Sequence, residues 1–290
     1  MTAPAVDPPA RIRAVLAGVR GFVLDADGVL VLRGEAIPGA MEAVAILGGR
    51  GIPYRIVTNY SSAHRSTLAD RFGSGLTPPE RFITAASAAA WYTARRHPGG
   101  GLFVIASPDA LREFDGQRLL DADAADAAEP GEVAAVVIGD GGDDLSFRNL
   151  DVAFRSVRRG AELVAMHRNP WWLTTRGETI DAGAWVAGLE YATGVRATVC
   201  GKPSAVVFRE AVAGLAADLG LGRLAAGDVV MVGDDPLSDV AAARRAGLRG
   251  ALVLTGKSDA TAAAMARRGP AGRRPDVVAA SLAELVAALD

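Results

Sequence analysis

Two carboxylates, Asp25 and Asp27, stand two residues apart directly after the apolar run Phe22-Val23-Leu24. At the C-terminal end of a strand such a pair is costly to hold. The like charges repel, and the rim of a sheet strips part of their water, so a cation or a proton must compensate. Gly28 follows, and glycine lets the backbone turn sharply or approach a ligand closely. A hydrophilic turn closes a strand with far less charge than this. Metal-assisted phosphoryl transfer, in contrast, asks for such an arrangement.

Three further groups fall where expected strands end. Thr58-Asn59 closes the run Tyr54-Arg55-Ile56-Val57. A hydroxyl followed by a free backbone N–H suits a phosphate oxygen, although the same pair before Ser61-Ser62 also reads as an ordinary helix cap. Gly201-Lys202-Pro203-Ser204 fixes a lysine between glycine and proline, with Pro203 suited to the first turn of the next helix. An ammonium placed there can neutralise a phosphate and a nucleophilic carboxylate together. The run Val229-Val230-Met231-Val232 leads into Gly233-Asp234-Asp235-Pro236-Leu237-Ser238-Asp239, whose carboxylates complete a hard-oxygen site for Mg²⁺. Capping of a helix start covers Asp235 but explains the whole set poorly.

The elements that must carry these groups alternate between short apolar runs and helix-length amphipathic segments, the pattern of a parallel sheet with crossover helices. Strands are expected at Phe22–Leu24, Tyr54–Val57, Val229–Val232, Ala251–Leu254 and near Asp276–Val278. Helices are expected at Gly39–Leu47, Ser62–Phe72, Ser204–Leu219, Leu237–Ala246 and from Ser281. The middle of the chain reads as a smaller α/β block, with strands at Leu102–Ala106, Val133–Ile138 and Ala161–Met166. Its helices fall near Phe147–Val157 and Ala182–Ala192. The stretch from Asp115 to Glu132 has no periodicity and reads as an exposed loop.

Composition narrows the classes. A chain of 290 residues can bury one large core or two moderate ones. A formal net charge of -2 advertises no nucleic-acid surface, and the paired arginines read as solvated faces near helix ends. Cys200 is the only cysteine, so neither a disulfide framework nor a thiolate cluster is expected. His64, His97 and His167 are too scattered for a histidine-rich metal site. The start of the chain lacks the basic and apolar regions of a signal peptide, and no run approaches the ~18 apolar residues of a membrane span. A cytoplasmic protein without a membrane partner is the expectation.

In this order the four groups closely resemble the motifs of haloacid dehalogenase (HAD) superfamily phosphatases, from about Gly21 to Leu254. The long insert between the second and third motifs resembles subclass IIA, the NagD-like and 4-nitrophenylphosphatase-like members. Asp181-Ala182-Gly183-Ala184, and Leu189-Glu190-Tyr191-Ala192-Thr193-Gly194 leading to Gly201-Lys202-Pro203-Ser204, are similar to relatives of phospholysine phosphohistidine inorganic pyrophosphate phosphatase. The resemblance implies a Rossmann-like parallel-sheet core at residues 1–98 and 199–290, with an inserted α/β cap at 99–198. It further implies that Asp25 attacks phosphorus and that Asp27 protonates the leaving oxygen and later deprotonates water. Thr58, the Asn59 N–H and Lys202 would hold the phosphate. Mg²⁺ would lie on the Asp25 carboxylate, the Asp27 main-chain carbonyl and Asp234, with Asp239 acting through water or orienting Lys202.

Tyr60 stands where relatives usually carry a second Asn, and it is expected to narrow the entrance or stack on the substrate. In such a family the cap sends a loop into the site. Here that loop would be Met166-His167-Arg168-Asn169-Pro170-Trp171-Trp172, whose Trp171, Arg168, Asn169 and His167 would meet a small phosphorylated metabolite. Cap core and dimer contact is the other reading of the tryptophans, and a homodimer through the cap is what relatives suggest. The leading function is Mg²⁺-dependent hydrolysis of a phosphate monoester, with pyrophosphate or a phosphoamide as further substrates. A phosphomutase or phosphotransferase and a non-catalytic phosphate-binding protein are the alternatives. The segment from Leu30 to Thr58 is too short to hold the cap that mutases of this kind usually carry there.

Overall fold

The computed structural model describes residues 6–72, 77–174 and 177–289, so the first five residues of the chain lie outside the described part. The chain forms two compact units. One consists of Met1–Thr58, Ala69–Ile83 and Lys202–Asp290, and the other of Asn59–Leu68 and Thr84–Gly201.

The first unit is built on six parallel strands. From edge to edge they are Val277–Ala279, Arg249–Val253, Val229–Gly233, Gly21–Asp25, Tyr54–Val57 and Phe82–Ile83. Every residue of the three central strands is buried, as a sheet covered by helices on both faces requires. The chain starts in the middle at Gly21–Asp25 and builds outward to Phe82–Ile83. It then returns to the other side of the first strand with Val229–Gly233 and builds outward again. That reversal opens a crevice at the carboxyl ends of Gly21–Asp25 and Val229–Gly233, where open parallel sheets bind ligands. Leu24 pairs with Val232, so Asp25 lies level with Gly233, one residue before Asp234.

The second unit has its own five-stranded parallel sheet, in the order Thr198–Val199, Glu162–Ala165, Val133–Ile138, Gly101–Ile105, Arg118–Leu120. Val136, Ile138, Leu163 and Ala165 form its apolar centre with Val152 and Val157 of the helix Phe147–Arg158 and Val186 of the helix Ala182–Thr193. An antiparallel hairpin, Trp171–Thr174 with Gly177–Ile180, completes the unit. The whole is an α/β fold of parallel sheets flanked by helices, as the alternation of runs predicts.

Several local expectations change. The stretch Asp115–Glu132 is not a bare loop: it holds the edge strand Arg118–Leu120 and the helix Ala122–Ala127, capped by Asp121, which accepts the Ala124 N–H at 2.8 Å. Elements this short show no measurable period. The helix expected from Ser62 begins only at Arg65, so Thr58-Asn59 is too far upstream to cap it. Pro203 precedes the capping residue Ser204 rather than standing in the first turn of Ala205–Asp218. The segment Pro236–Ala241 is wound as a π-helix before the short α-helix Ala242–Arg245.

Candidate active site

Asp25 ends its strand almost fully buried. Its Oδ1 accepts the Ala26 N–H at 2.7 Å and lies 2.5 Å from Lys202 Nζ. Lys202 is equally buried and reaches Asp239 Oδ1 at 2.9 Å. The wide turn of the π-helix carries Asp239 inward: the Val240 N–H reaches back five residues to the Asp235 carbonyl at 3.3 Å. The Asp235 N–H donates to Asp239 Oδ2 at 3.1 Å. Asp235 itself caps the turn, accepting the N–H groups of Leu237 at 2.8 Å and Ser238 at 3.0 Å. Capping therefore explains Asp235, and the inward charges are Asp234 and Asp239.

Asp25, Asp234 and Asp239 each offer an oxygen within 4.8 Å of the others. Burial pushes the Asp25 carboxyl well above the usual range; the Asp239 charge adds to this, and Lys202 opposes it only in part. For Lys202 burial works against the charge, yet Asp239 and Asp25 outweigh it and hold the ammonium above its ordinary value. Burial also raises Asp234, against the pull of the Lys257 backbone N–H. Three carboxylates thus face one ammonium. Asp234 Oδ2 accepts the Lys257 N–H at 2.6 Å, whereas its buried Oδ1 has no hydrogen-bond partner. A native structure rarely leaves such an atom unanswered. The excess charge, the hard oxygen donors and the unanswered oxygen all fit a divalent cation.

Of the other expected residues, Asp27 is exposed, on a turn where the Gly28 N–H donates to the Val31 carbonyl at 2.7 Å. Thr58 is buried, and its N–H donates to Ile83 O at 3.0 Å. Asn59 and Tyr60 are half-buried, with the Ala85 N–H on the Tyr60 carbonyl at 3.1 Å. A Cβ on Gly201 would stand 2.7 Å from both Asn59 Oδ1 and the Met166 carbonyl, so only glycine lets the strands of backbone pass here.

Within the second unit the expected loop Met166–Trp172 is a loop only in part: Trp171 and Trp172 open the strand Trp171–Thr174, and the residues before them are braced. His167 is buried; its Nε2 lies 2.9 Å from Ser61 Oγ and 3.6 Å from Asp181 Oδ1, while its Nδ1 accepts the Asn169 N–H at 3.2 Å. Burial lowers its pKa, against the nearby charges of Asp181 and Asp140. Arg168 pairs with the buried Glu190 at 2.7 Å. Gly183 fits its helix tightly under Arg168 and Asn169, whose backbone atoms lie within 2.6 Å of where a Cβ would be. Trp171 and Trp172 are 54% and 40% exposed, so neither belongs to the apolar core.

Comparison with known proteins fits this geometry. A model of haloacid dehalogenase-like hydrolases matches residues 22–119, and a HAD-hydrolase-like model matches 199–285. Human phospholysine phosphohistidine inorganic pyrophosphate phosphatase is 32% identical over 83% of this chain and 85% of its own length. The chain belongs to the haloacid dehalogenase-like (HAD) hydrolases. Among solved structures, p-nitrophenyl phosphatase from Archaeoglobus fulgidus superposes with a TM-score of 0.79 at 30% identity, covering 93% of this chain and 99% of that one. NagD from E. coli K-12 gives 0.74 at 27% identity over 92% and 98%. The protein is an HAD-type phosphatase, which sets aside the reading as a non-catalytic binder. No helix among the described residues is long and apolar enough to cross a membrane.

One part of the candidate site escaped the sequence reading. After the strand Arg249–Val253, Thr255 Oγ1 donates to the Gly28 carbonyl at 2.5 Å and Lys257 donates its N–H to Asp234. The only signal was the glycine of Thr255-Gly256-Lys257 at a strand end.

Proposed function

We infer that this HAD phosphatase hydrolyses small organic phosphate monoesters, using Mg²⁺ and an aspartyl-phosphate on Asp25. The observation that carries the reading is the buried Asp25–Lys202–Asp239 chain beside an Asp234 oxygen with no partner. An Asp25 oxygen attacks phosphorus as the bond from phosphorus to the ester oxygen breaks, and the Asp27 carboxyl gives that oxygen its proton. The Asp27 carboxylate then takes a proton from water as the water oxygen attacks the phosphoryl group. The bond to Asp25 breaks, and inorganic phosphate leaves. Lys202 holds Asp25 in place and balances phosphoryl charge, Thr58 and the Asn59 N–H receive phosphoryl oxygens, and Asp239 keeps Lys202 oriented. Asp25, the Asp27 carbonyl and Asp234 would hold Mg²⁺, which supplies charge neutralisation at the phosphate.

Discrimination among esters is assigned to the inserted segment 99–198, through Trp171, Arg168 and Asn169, and to Tyr60. The braced position of His167 favours a supporting role over substrate contact. Pyrophosphate and phosphoamides belong on the substrate panel, because a relative is named for them. A cytoplasmic setting and a homodimer through the inserted segment are part of the same reading, and sedimentation tests the latter. The deciding experiment assays the purified protein on a panel of phosphate esters, with Mg²⁺ and after chelation. Ester hydrolysis that needs Mg²⁺, with a transient phosphate on Asp25 by mass spectrometry, is expected. Full turnover in excess chelator, or phosphate found on another residue, overturns it.

A further inference from the structure

Asp234 is held from sides that its own segment does not supply. Gly28, at φ 78°, lies so close that a Cβ there would stand 2.1 Å from Asp234 Oδ2. Gly256 is tighter still: its Cβ would stand 1.9 Å from the same oxygen and 2.6 Å from Gly28 Cα. The carboxylate is therefore packed between two glycine backbones that arrive from different strand ends. The Thr255 hydroxyl ties them by donating to the Gly28 carbonyl at 2.5 Å. The Lys257 N–H occupies Oδ2 at 2.6 Å, and only the buried Oδ1 is left without a partner.

We propose that the loop Thr255-Gly256-Lys257 is a positioning element that locks Asp234 so that Oδ1 alone faces the metal. This rests on the reading of Asp234 as a Mg²⁺ ligand. A carboxylate with both oxygens open can rotate, bind through both, or turn away, and each alternative adds an ordering cost on metal binding. The clamp removes those alternatives before the metal arrives: one oxygen is committed to a backbone donor and the two glycines leave no room to turn. Outer partners of this kind typically change metal affinity by about 10- to 100-fold when lost. A plain strand-end turn needs neither contact. Its glycine would face solvent, and its hydroxyl would not reach a carbonyl 227 positions away in the chain.

The test is calorimetric titration of Mg²⁺ into the metal-stripped full-length protein, with turnover measured separately across Mg²⁺ concentrations. Gly256→Ala is expected to weaken binding by roughly 10- to 100-fold. Its turnover at saturating Mg²⁺ should fall much less than its Mg²⁺ affinity. Thr255→Val, which keeps the shape and removes the hydroxyl, should weaken binding severalfold, and Thr255→Ser should restore it. Thr255→Val carries the test if Gly256→Ala does not fold. Wild type that binds Mg²⁺ while the folded variants bind it equally well overturns the clamp alone. Wild type that takes up no Mg²⁺ overturns the metal reading and the clamp together.

Discussion

Two charge clusters share the first unit, one partly open to water and one buried, and they are assembled on opposite principles. On the strand Tyr54–Val57, Arg55 is nearly fully buried and makes two bonds to Asp218, at 2.6 and 3.1 Å. Arg81 joins the same carboxylate at 2.9 Å, and Gly214 leaves the space that the Arg55 guanidinium fills. Cations outnumber anions there, and Asp218 is partly open to water, which screens what is left over. In the Asp25, Asp234 and Asp239 cluster, at greater depth, three carboxylates meet one buried ammonium, Lys202, with the exposed Lys257 adding its charge near Asp234. The first cluster is complete as it stands. The second is short of positive charge, which is a poor way to stabilise a fold and a direct way to attract a cation.

The largest effect that tests this contrast is on turnover. Asp25→Asn should lower kcat by roughly 10⁴-fold or more, the scale seen when a nucleophile is removed, and no phosphorylated protein should form. Asp27→Asn should cost about 10²- to 10⁴-fold, the range for a lost general acid–base, with the phosphorylated form accumulating. Initial rates and intact-protein mass spectra read both. Asp218→Asn should leave kcat near wild type. If it lowers kcat as Asp27→Asn does, the two clusters are not separate in function.

Next in size is the response to metal. Mg²⁺ at 100 times its dissociation constant should raise stability by about 2.7 kcal/mol through mass action. Asp234→Asn should lose most of that gain, and Asp218→Asn should keep it. Denaturant melts with and without Mg²⁺ measure the difference. Equal Mg²⁺ stabilisation of wild type and Asp234→Asn would place the cation elsewhere.

The two clusters were not equally legible in the chain. Asp25, Lys202 and Asp234 stood out because charge at strand ends is costly, and that cost shows in the local pattern alone. Arg55 inside a buried strand carried the same warning, but its partner Asp218 lies 163 positions away with no motif to mark it. The Thr255–Lys257 loop failed for the same reason, since its contacts with Gly28 and Asp234 exist only once the sheet has formed. The helix Ala85–Arg96 went unseen because its alanines are buried over most of its surface and give no amphipathic period. Its capping box, Thr84 with Ser87, was the available signal. The pairing of Arg168 with Glu190 went unseen because Glu190 comes from another element.

A smaller stability effect follows from the complete cluster. Asp218→Asn should cost about 1–2 kcal/mol in metal-free protein, because it leaves the buried Arg55 guanidinium without its charged partner. Asp234→Asn should be neutral or slightly stabilising under the same conditions, since it relieves repulsion. Urea melts of both variants in chelator check the sign. A loss of the same size in both would show the Asp234 charge to be compensated after all.

The finest distinction is in the acid response of the metal-free protein, where the clusters should pull in opposite directions. Hydrogen bonds from Arg55, with the Arg55 and Arg81 charges, hold the Asp218 carboxyl below its ordinary value despite partial burial. Its contribution is therefore present above about pH 4, the unfolded carboxylate value, and is lost as pH falls through the lower folded value. Asp25 and Asp234 are raised, mainly by burial. Between their unfolded and folded values the native state binds more protons than the unfolded chain, so stability should rise as pH falls through that window. The Asp25 and Asp234 contribution in metal-free protein should thus grow as pH falls towards about 4, against the loss that the lowered His167 brings, and the Asp218 contribution is lost below about pH 4. Bound Mg²⁺ favours the ionised carboxylates and should abolish or reverse the gain, since the protons would then have to displace the cation. Asp234→Asn should reduce it, and Asp218→Asn should blunt the loss below pH 4 while leaving the gain intact. If the acid profiles of metal-free wild type and Asp234→Asn run parallel, Lys202 neutralises the site and the contrast between the clusters collapses.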